Sequence, residues 1–230
     1  MAIKTFEYST FNSNKAKLPS KVEHLTIEEL QAKFSKMKHL VMEKDKAPLY
    51  LLSKLDGKGR KKENILSAEA IVLDVDVHHE EQVMEKAMEI LKPFAFIIHT
   101  TYSHKAADSR YRIIVPLLHH VDAENFQKEH YGSRLAAMLK LKVDACSDLP
   151  TQCYYLPTRP KIAAASDHFI VVNDSTDLLD AKNLPLQAAK TATKGSKKSN
   201  VLDELLDDES NRLVPANLML IFSIMPDDKC

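Results

Sequence analysis

Two aspartates, Asp74 and Asp76, interrupt an otherwise apolar stretch over residues 70–77. In a β-strand alternate residues share a face, so the two carboxylates point the same way, about 6–7 Å apart. Burying them together is unfavourable because each is desolvated and they repel, and a divalent cation between them removes both penalties. The pattern predicts a metal site of the kind used in phosphoryl transfer. The alternative is an edge strand whose acids face solvent.

Histidines and arginines follow the acids along the chain. His99 and His104 flank the end of the next apolar stretch, where an imidazole could donate to a phosphate oxygen or bind a metal. Arg110 and Arg112 alternate with apolar residues, so their guanidiniums share a strand face and suit phosphate oxygens. The alternatives are two ordinary surface-loop histidines and two internal salt bridges between the arginines and the aspartates.

A third carboxylate and a candidate stacking platform come later in the chain. Asp144 follows a long predicted helix and could complete the metal site, with Asp148 as the competing candidate. Tyr154 or Tyr155 could stack on a base or a sugar, although core packing is the commoner role for such tyrosines. Arg159 could hold a phosphate or cap a turn.

The elements that would position these residues alternate between strands and helices. Thr26 and Glu29 form a capping box that predicts a helix over 27–38. The order β-α-β-β-α from 70 to 141 predicts an α+β fold, an RRM-like or ferredoxin-like open sheet with helices on one face. The apolar periodicity predicts strands at 48–53, 70–77, 94–101, 111–117, 153–156 and 168–172, and helices at 80–92 and 122–141.

Composition divides the chain into one substantial domain and a tail. Residues 1–180 are expected to form the domain, residues 181–200 a linker rich in Ala, Lys, Ser and Thr, and residues 201–230 a short helical tail, a possible remnant of a longer protein. The segment 54–62 carries five basic residues around two glycines and predicts a mobile basic loop.

The overall charge and the cysteines limit the class of protein. Equal numbers of basic and acidic residues give a net charge of zero, so any nucleic-acid contact must come from a local patch. Cys146, Cys153 and Cys230 are too few and unpaired for a disulfide scaffold or a zinc knuckle. No signal peptide, membrane span or Gly-rich P-loop is evident, so we expect a soluble cytoplasmic protein that is not a P-loop ATPase.

Five motifs in this order resemble the archaeo-eukaryotic primase superfamily, in particular the primase-polymerase domains of phage and plasmid replication proteins. The resemblance covers about residues 48–172. The motifs are Leu-Asp-Val-Asp at 73–76, Thr-Thr-Tyr-Ser-His at 100–104, Arg-Tyr-Arg-Ile-Ile-Val-Pro-Leu at 110–117, Val-Asp at 143–144 and Cys-Tyr-Tyr-Leu-Pro at 153–157.

The resemblance implies a primase-polymerase catalytic core that carries out two-metal nucleotidyl transfer with Mg²⁺ or Mn²⁺ on a single-stranded DNA template. NTPs or dNTPs would be the substrates and a replicative helicase a partner. One metal would activate a 3′-hydroxyl and the other would steady the pyrophosphate. The implied metal ligands are Asp74, Asp76 and Asp144; the nucleotide ligands are His104, Ser103, Arg110, Arg112 and His99; the nucleic-acid contacts are Lys58, Arg60, Lys61, Lys62, Tyr155 and Arg159.

One departure from the family pattern keeps other functions open. The Gly-rich form of the histidine motif is absent, which leaves His99 and His104 as competing nucleotide ligands. One alternative is a replication initiator or nucleic-acid-binding module that has the fold without catalysis. Another is a Rep-like metal-dependent nuclease, for which Tyr131 is the obvious helical tyrosine, although His99 and His104 are wrongly spaced for the histidine pair of such enzymes.

Overall fold

A computed structural model describes residues 4–76, 83–105 and 107–186 of the chain. The predicted tail over 201–230, most of the predicted linker and the start of the predicted helix 80–92 lie outside the described residues. Within the described ranges, no helix is long and apolar enough to cross a membrane.

The described residues form strands and helices in an α+β order, joined by short 3₁₀ turns. The strands are β1 (Phe6–Phe11), β2 (Lys21–Leu25), β3 (Leu40–Val41), β4 (Leu49–Leu51), β5 (Ser53–Leu55), β6 (Ile65–Val75), β7 (Ile97–Thr100), β8 (Tyr111–Asp122), β9 (Tyr154–Tyr155), β10 (Thr158–Arg159) and β11 (Ile170–Val172), and the helices are α1 (Ile27–Ser35), α2 (Val83–Leu91), α3 (Ala123–Lys128) and α4 (Tyr131–Met138).

The main sheet has five strands in the order β11-β7-β8-β6-β5, and each neighbouring pair is antiparallel. β8 lies between β6 and β7 and is antiparallel to both, so β6 and β7, which α2 separates in the sequence, run parallel to each other. This is the strand arrangement of a split β-α-β unit. The predicted α+β class and the β-α-β-β-α order are confirmed, with the last predicted helix divided into α3 and α4.

One face of the main sheet packs against the helices. Ile71, Leu73 and Val75 of β6 are fully buried there, in one cluster with Ala87 of α2 and Leu135 of α4. The prediction that the residues alternating with the aspartates point into a core is confirmed. Because side chains alternate along a strand, the aspartates must face the other way.

The opposite face of the main sheet packs against a second sheet, ordered β2-β1-β4-β9. Tyr8, Tyr50 and Tyr154 of this sheet are buried with Val72 of β6 and Ile114 of β8, and Phe34 and Leu30 of α1 close the cluster. β1 and β2 were not predicted from the sequence. The prediction was incomplete because the polar segment between these strands hides their pairing, which depends on contacts with β4 that are distant in sequence.

Three predicted boundaries are corrected by the structure. The predicted helix 122–141 is two helices, because His130 has a positive φ of 50° and breaks the helical path. The segment 54–62 is not a simple mobile loop, since its first residues belong to β5 and Lys62 begins a 3₁₀ turn. The packed domain extends into the predicted linker, because Ala181 and Leu184 are buried in the main core.

Candidate active site

Asp74, Arg112 and His99 form one row across three neighbouring strands. Asp74 of β6 lies opposite Arg112 of β8, and Arg112 lies opposite His99 of β7. All three side chains are buried on the sheet face that meets the second sheet. Charged side chains that are buried in a protein must be paired with one another. The contacts within this row therefore determine which of its atoms remain available to a ligand.

Arg112 forms an ion pair with Asp74 inside the protein. Its Nη2 donates to Asp74 Oδ2 at 3.2 Å, while its Nε lies 3.1 Å from Oδ1 without the alignment of a hydrogen bond. The guanidinium also lies 5.2 Å from the ring of Tyr154 and donates to the carbonyl oxygen of Tyr155 at 3.4 Å. Asp74 Oδ1 is therefore a buried acceptor with no hydrogen-bond partner.

A second, more exposed row lies at the mouth of the site. Arg110 Nη1 lies 3.8 Å from Asp76 Oδ2, and Arg110 Nε donates to Asp108 Oδ2 at 3.2 Å. The Asp76 side chain is 44% exposed and that of Arg110 is 32% exposed. The sequence analysis left internal salt bridges open as an alternative for both arginines, and in this structure each arginine does contact an aspartate of the pair.

Asp144 lies beside Asp74. The Asp144 backbone N–H donates to the Asp74 carbonyl oxygen at 3.0 Å, and the exposed Asp144 carboxylate accepts from the backbone N–H of Cys146 at 2.8 Å. Ser147 Oγ accepts from the backbone N–H of Asp74 at 3.1 Å. The segment that follows α4 is thus hydrogen-bonded to β6 at the position of the first acid.

The pKa of Asp74 is shifted by burial and by the charged groups around it, which include Asp76 and Asp144. Burial raises this pKa above its usual value, and the charges of Asp76 and Asp144 raise it further, while Arg112 opposes both effects. A carboxyl that is buried among other acids gains from any cation that reaches it. The three predicted metal ligands therefore form one electrostatic group.

Asp148, the competing third acid, has a structural role. Its carboxylate accepts from the Ser133 backbone N–H at 2.8 Å and from Ser133 Oγ at 2.5 Å, and it lies 3.3 Å from His130 Nδ1. Gly132 leaves no room for a side chain, since a Cβ there would collide with the Ser147 carbonyl oxygen. These contacts fasten the start of α4 to the segment that carries Asp144, so the geometry favours Asp144 as the third acid.

His104 closes the loop between β7 and β8. Its Nδ1 accepts from the backbone N–H of Arg110 at 3.1 Å, and its backbone N–H donates to the Thr101 carbonyl oxygen at 3.2 Å. Burial lowers the pKa of His104, although hydrogen bonds to the backbone of Asp167 and Arg110 oppose that effect. The imidazole thus positions Arg110; the neighbouring Ser103 is half-buried.

His99 is enclosed in the core between the sheets. Its Nε2 lies 3.2 Å from Tyr50 Oη and its Nδ1 lies 3.0 Å from the Thr100 carbonyl oxygen, so both ring nitrogens have partners. Burial first, and then the charge of Arg112, lower the pKa of His99 to about 3. This geometry argues against a direct contact between His99 and a nucleotide.

Two histidines that the sequence analysis missed lie around Thr100. His39 Nε2 lies 2.9 Å from Thr100 Oγ1, and His168 Nδ1 lies 3.2 Å from the same oxygen. The His168 ring also packs 5.1 Å from that of His39 and 5.4 Å from that of His104. No local signal could have grouped them, because they come from loops far apart in the sequence.

Acidification should destabilise the protein as the pH falls from about 6.5 towards 4. Burial and the charge of His168 lower the pKa of His39 from 6.5 to about 4. In this range the unfolded chain binds a proton that the folded chain does not, so stability is full above 6.5 and decreases progressively below it. Urea unfolding at a series of pH values measures the effect.

The variant His39→Gln is the control for this pH dependence. Its amide can still donate to Thr100 but does not titrate, so the loss of stability on acidification should become shallower. An unchanged profile in this variant would show that His39 contributes nothing to it.

The carboxylate oxygens of Asp74, Asp76 and Asp144 suit a hard divalent cation, although the three side chains are not close enough together to bind one. Among the described ranges, no group of three His, Cys, Asp or Glu side chains stands close enough to hold a metal ion. Asp74 nevertheless has an oxygen that accepts no hydrogen bond, and Asp76 and Asp144 offer exposed carboxylates beside it. Carboxylate oxygens are the ligands that Mg²⁺ and Mn²⁺ prefer.

The remaining predicted contacts are dispersed. Lys58, Arg60, Lys61 and Lys62 lie on the loop that leads from β5 to β6, at the opposite end of β6 from Asp74. Tyr155 is half-buried with Lys44 Nζ 5.9 Å from its ring, and Arg159 Nη1 donates to the Ala163 carbonyl oxygen at 2.5 Å. The structure thus places the four basic residues of this loop away from the acids, whereas the backbone of Tyr155 contacts Arg112 within the site.

Tyr131, the candidate nucleophile of the nuclease alternative, is used in packing. Its ring lies 5.8 Å from that of Phe126, and the Arg134 guanidinium lies 4.8 Å from it. Within the described ranges, no hydrogen bond or ring contact joins it to His99 or His104. The geometry therefore gives this alternative no support.

Comparison with known proteins gives one family and one structural similarity. The family model of the VapE N-terminal domain matches residues 5–187. The primase-polymerase domain of cyanophage S-2L, from the archaeo-eukaryotic primase group that the sequence motifs resemble, is 15% identical with a TM-score of 0.42, over 79% of this chain and 87% of that one. At this level the likeness carries no argument about reaction or substrate. A search of curated proteins finds no match.

Proposed function

Because the chain belongs to the VapE N-terminal domain family, whose name specifies no reaction, we propose its function from its own site. The proposal is a primase or primase-polymerase that transfers nucleotides to a growing strand on a single-stranded DNA template, in the replication of a phage or plasmid. The class of reaction is metal-dependent nucleotidyl transfer. The substrates would be NTPs or dNTPs.

One observation carries the proposal: Asp74 is a buried carboxylate whose Oδ1 accepts no hydrogen bond, next to two exposed carboxylates and two arginines. Burial first, and then the charges of Asp76 and Asp144, raise its pKa, and Arg112 is buried against it. A lone ion pair would need only one acid. The two extra carboxylates are repulsive unless a cation joins them, and arginines beside such a cation suit a polyphosphate.

The arginines and the histidine of the site have different roles in the proposed reaction. Arg112 holds Asp74 in place through its ion pair and its contact with Tyr154. Arg110 is partly exposed at the mouth, where its guanidinium can bind phosphate oxygens in place of Asp76 and Asp108. His104 positions Arg110 by accepting a hydrogen bond from its backbone N–H. We expect catalysis to come mainly from this positioning and from charge neutralisation.

Asp74, Asp76 and Asp144 would hold the Mg²⁺ or Mn²⁺. The bound cation would supply Lewis acidity and neutralise charge on the phosphates. Asp76 and Asp144 are the exposed members of the group, and Asp74 is the buried one.

The ion pair also favours a second function. Arg112 already neutralises Asp74, which is what a nucleic-acid-binding module without catalysis would require. In that case the row would only stabilise the fold. The same experiment separates the two functions.

The test is an incubation of the full chain with a single-stranded template, NTPs or dNTPs, and Mn²⁺, with reactions lacking Mn²⁺ as the control. Metal-dependent extension products support the primase function. Template binding without any product supports the binding module and contradicts nucleotidyl transfer. Cleavage of the template with a covalent tyrosyl adduct would contradict both.

A further inference from the structure

Two loops form a strongly basic surface in a chain that is neutral overall. Residues 12–20 join β1 to β2, and residues 54–62 include the end of β5 and the turn that follows it. Together they carry seven basic side chains and one acidic side chain, a net charge of +6. The lysines of this two-loop surface are Lys15, Lys17, Lys54, Lys58, Lys61 and Lys62, and all are exposed.

Direct contacts hold the two loops together. The Arg60 backbone N–H donates to the Lys17 carbonyl oxygen at 3.1 Å, and the Arg60 guanidinium donates to the Asn14 carbonyl oxygen and lies 5.4 Å from the Phe11 ring. Gly59 has a φ of 100°, and a Cβ there would lie 2.5 Å from the Lys17 carbonyl oxygen. Arg60 therefore has a structural role, and the lysines are presented on a defined surface.

Asp56 and the neighbouring Glu63 neutralise little of this charge. Lys58 Nζ lies 3.4 Å from Asp56 Oδ2, with the lysine side chain 80% exposed, and Lys61 Nζ lies 3.9 Å from Glu63 with both side chains largely exposed. Such exposed pairs contribute little and are screened by salt. The other four lysines of the surface extend into solvent, so most of the positive charge is open to a ligand.

The two-loop surface is remote from the candidate active site. Leu55, at the edge of the basic segment, pairs with Ile65 at the start of β6, whereas Asp74 lies near the end of the same strand. At about 3.3 Å per residue, Ile65 and Asp74 are about 30 Å apart along β6. At this separation the lysines are out of reach of a nucleotide bound at the acids, and their positive charge suits a separate anionic ligand or a remote part of a long one.

We propose that the two-loop surface binds the phosphate backbone of nucleic acid about 30 Å from the acids, as an anchoring site separate from the catalytic one. The inference rests on the proposed function for the identity of the polyanion as the template strand. Lysines on two loops held together by hydrogen bonds can contact several phosphates of one strand, and such contacts depend on charge and not on base sequence. Residues 12–20 thereby gain a role that their sequence alone did not indicate.

The experiment measures binding of a fluorescently labelled single-stranded oligonucleotide to the full chain by anisotropy, over a series of KCl concentrations. The test variant is Lys15→Glu, Lys17→Glu, Lys58→Glu and Lys62→Glu, and the matched control is Lys36→Glu, Lys86→Glu, Lys92→Glu and Lys128→Glu, which changes the net charge equally at exposed positions elsewhere. Thermal unfolding checks that both variants are folded.

We expect the test variant to bind at least about tenfold more weakly than the control variant. The slope of log K against log salt should fall by about 0.7 for each phosphate that the variant no longer neutralises. Equal affinities and slopes for the two variants would overturn the proposal, as would absence of binding by the unmodified chain. If the unmodified chain binds through these lysines but makes no product with Mn²⁺, the anchoring site stands and nucleotidyl transfer fails.

Discussion

Replacing Asp74 with leucine should destabilise the protein by about 3–5 kcal/mol, the penalty for leaving a buried charge without its partner. The Arg112 side chain is only 10% exposed, and Asp74 supplies its counter-charge at 3.1–3.2 Å. Among the described residues, no second carboxylate forms an ion pair with this guanidinium. Urea unfolding of the variant and of the unmodified chain at neutral pH measures the change in the free energy of unfolding.

The double variant Asp74→Leu with Arg112→Met separates stability from chemistry. Replacing both members of a buried ion pair by apolar side chains of similar size is often neutral or stabilising. We therefore expect the double variant to recover most of the lost stability, while primer synthesis stays absent because Asp74 is missing. A single variant as stable as the unmodified chain would show that the buried pair does not form.

The pair of changes Asp76→Asn and Asp144→Asn should leave the fold intact and remove the chemistry. Both side chains are exposed, and asparagine at 144 can still accept from the Cys146 backbone N–H. Loss of outer-shell partners alone typically costs 10–100-fold in metal affinity or activity, so loss of two ligands should cost more than about 100-fold. Mn²⁺ binding by electron paramagnetic resonance and primer synthesis are the two measurements.

The chain offers a matched control for this variant. Asp122 and Asp180 also cap a helix and a turn through their carboxylates, and they lie away from the acid group. The variant Asp122→Asn with Asp180→Asn should keep both Mn²⁺ binding and synthesis. If the Asp76 and Asp144 changes have no larger effect than this control, the acid group is not a metal site.

The core of the fold could be predicted because its signals are local. Alternation in β6 assigns Leu73 and Val75 to one face and the two aspartates to the other, and the structure confirms the buried side. The same alternation places Arg112 of β8 and Arg110, which directly precedes β8, on one face, and each does contact an aspartate of the pair. These predictions succeeded because a strand has a fixed period of two.

Other parts of the site depend on contacts between distant segments. The break in the predicted helix at His130 accompanies the packing of Gly132 against Ser147, which no helical periodicity reveals. His39 and His168 meet at Thr100 only after separate segments of the chain converge. The choice between Asp144 and Asp148 likewise depends on which carboxylate the start of α4 engages.

The amino-acid sequence by itself determined the residue types of the acid group, the order of the central elements and the faces of their strands. These follow from side-chain periodicity and from the cost of burying charge, both of which act along a single segment. Only the tertiary structure decided that Arg112 pairs with Asp74, that His99 is enclosed, and that the basic segment 54–62 lies far from the acids beside residues 12–20. Those outcomes depend on which distant segments pack together, and sheet register and loop packing bring together residues that the chain order keeps apart.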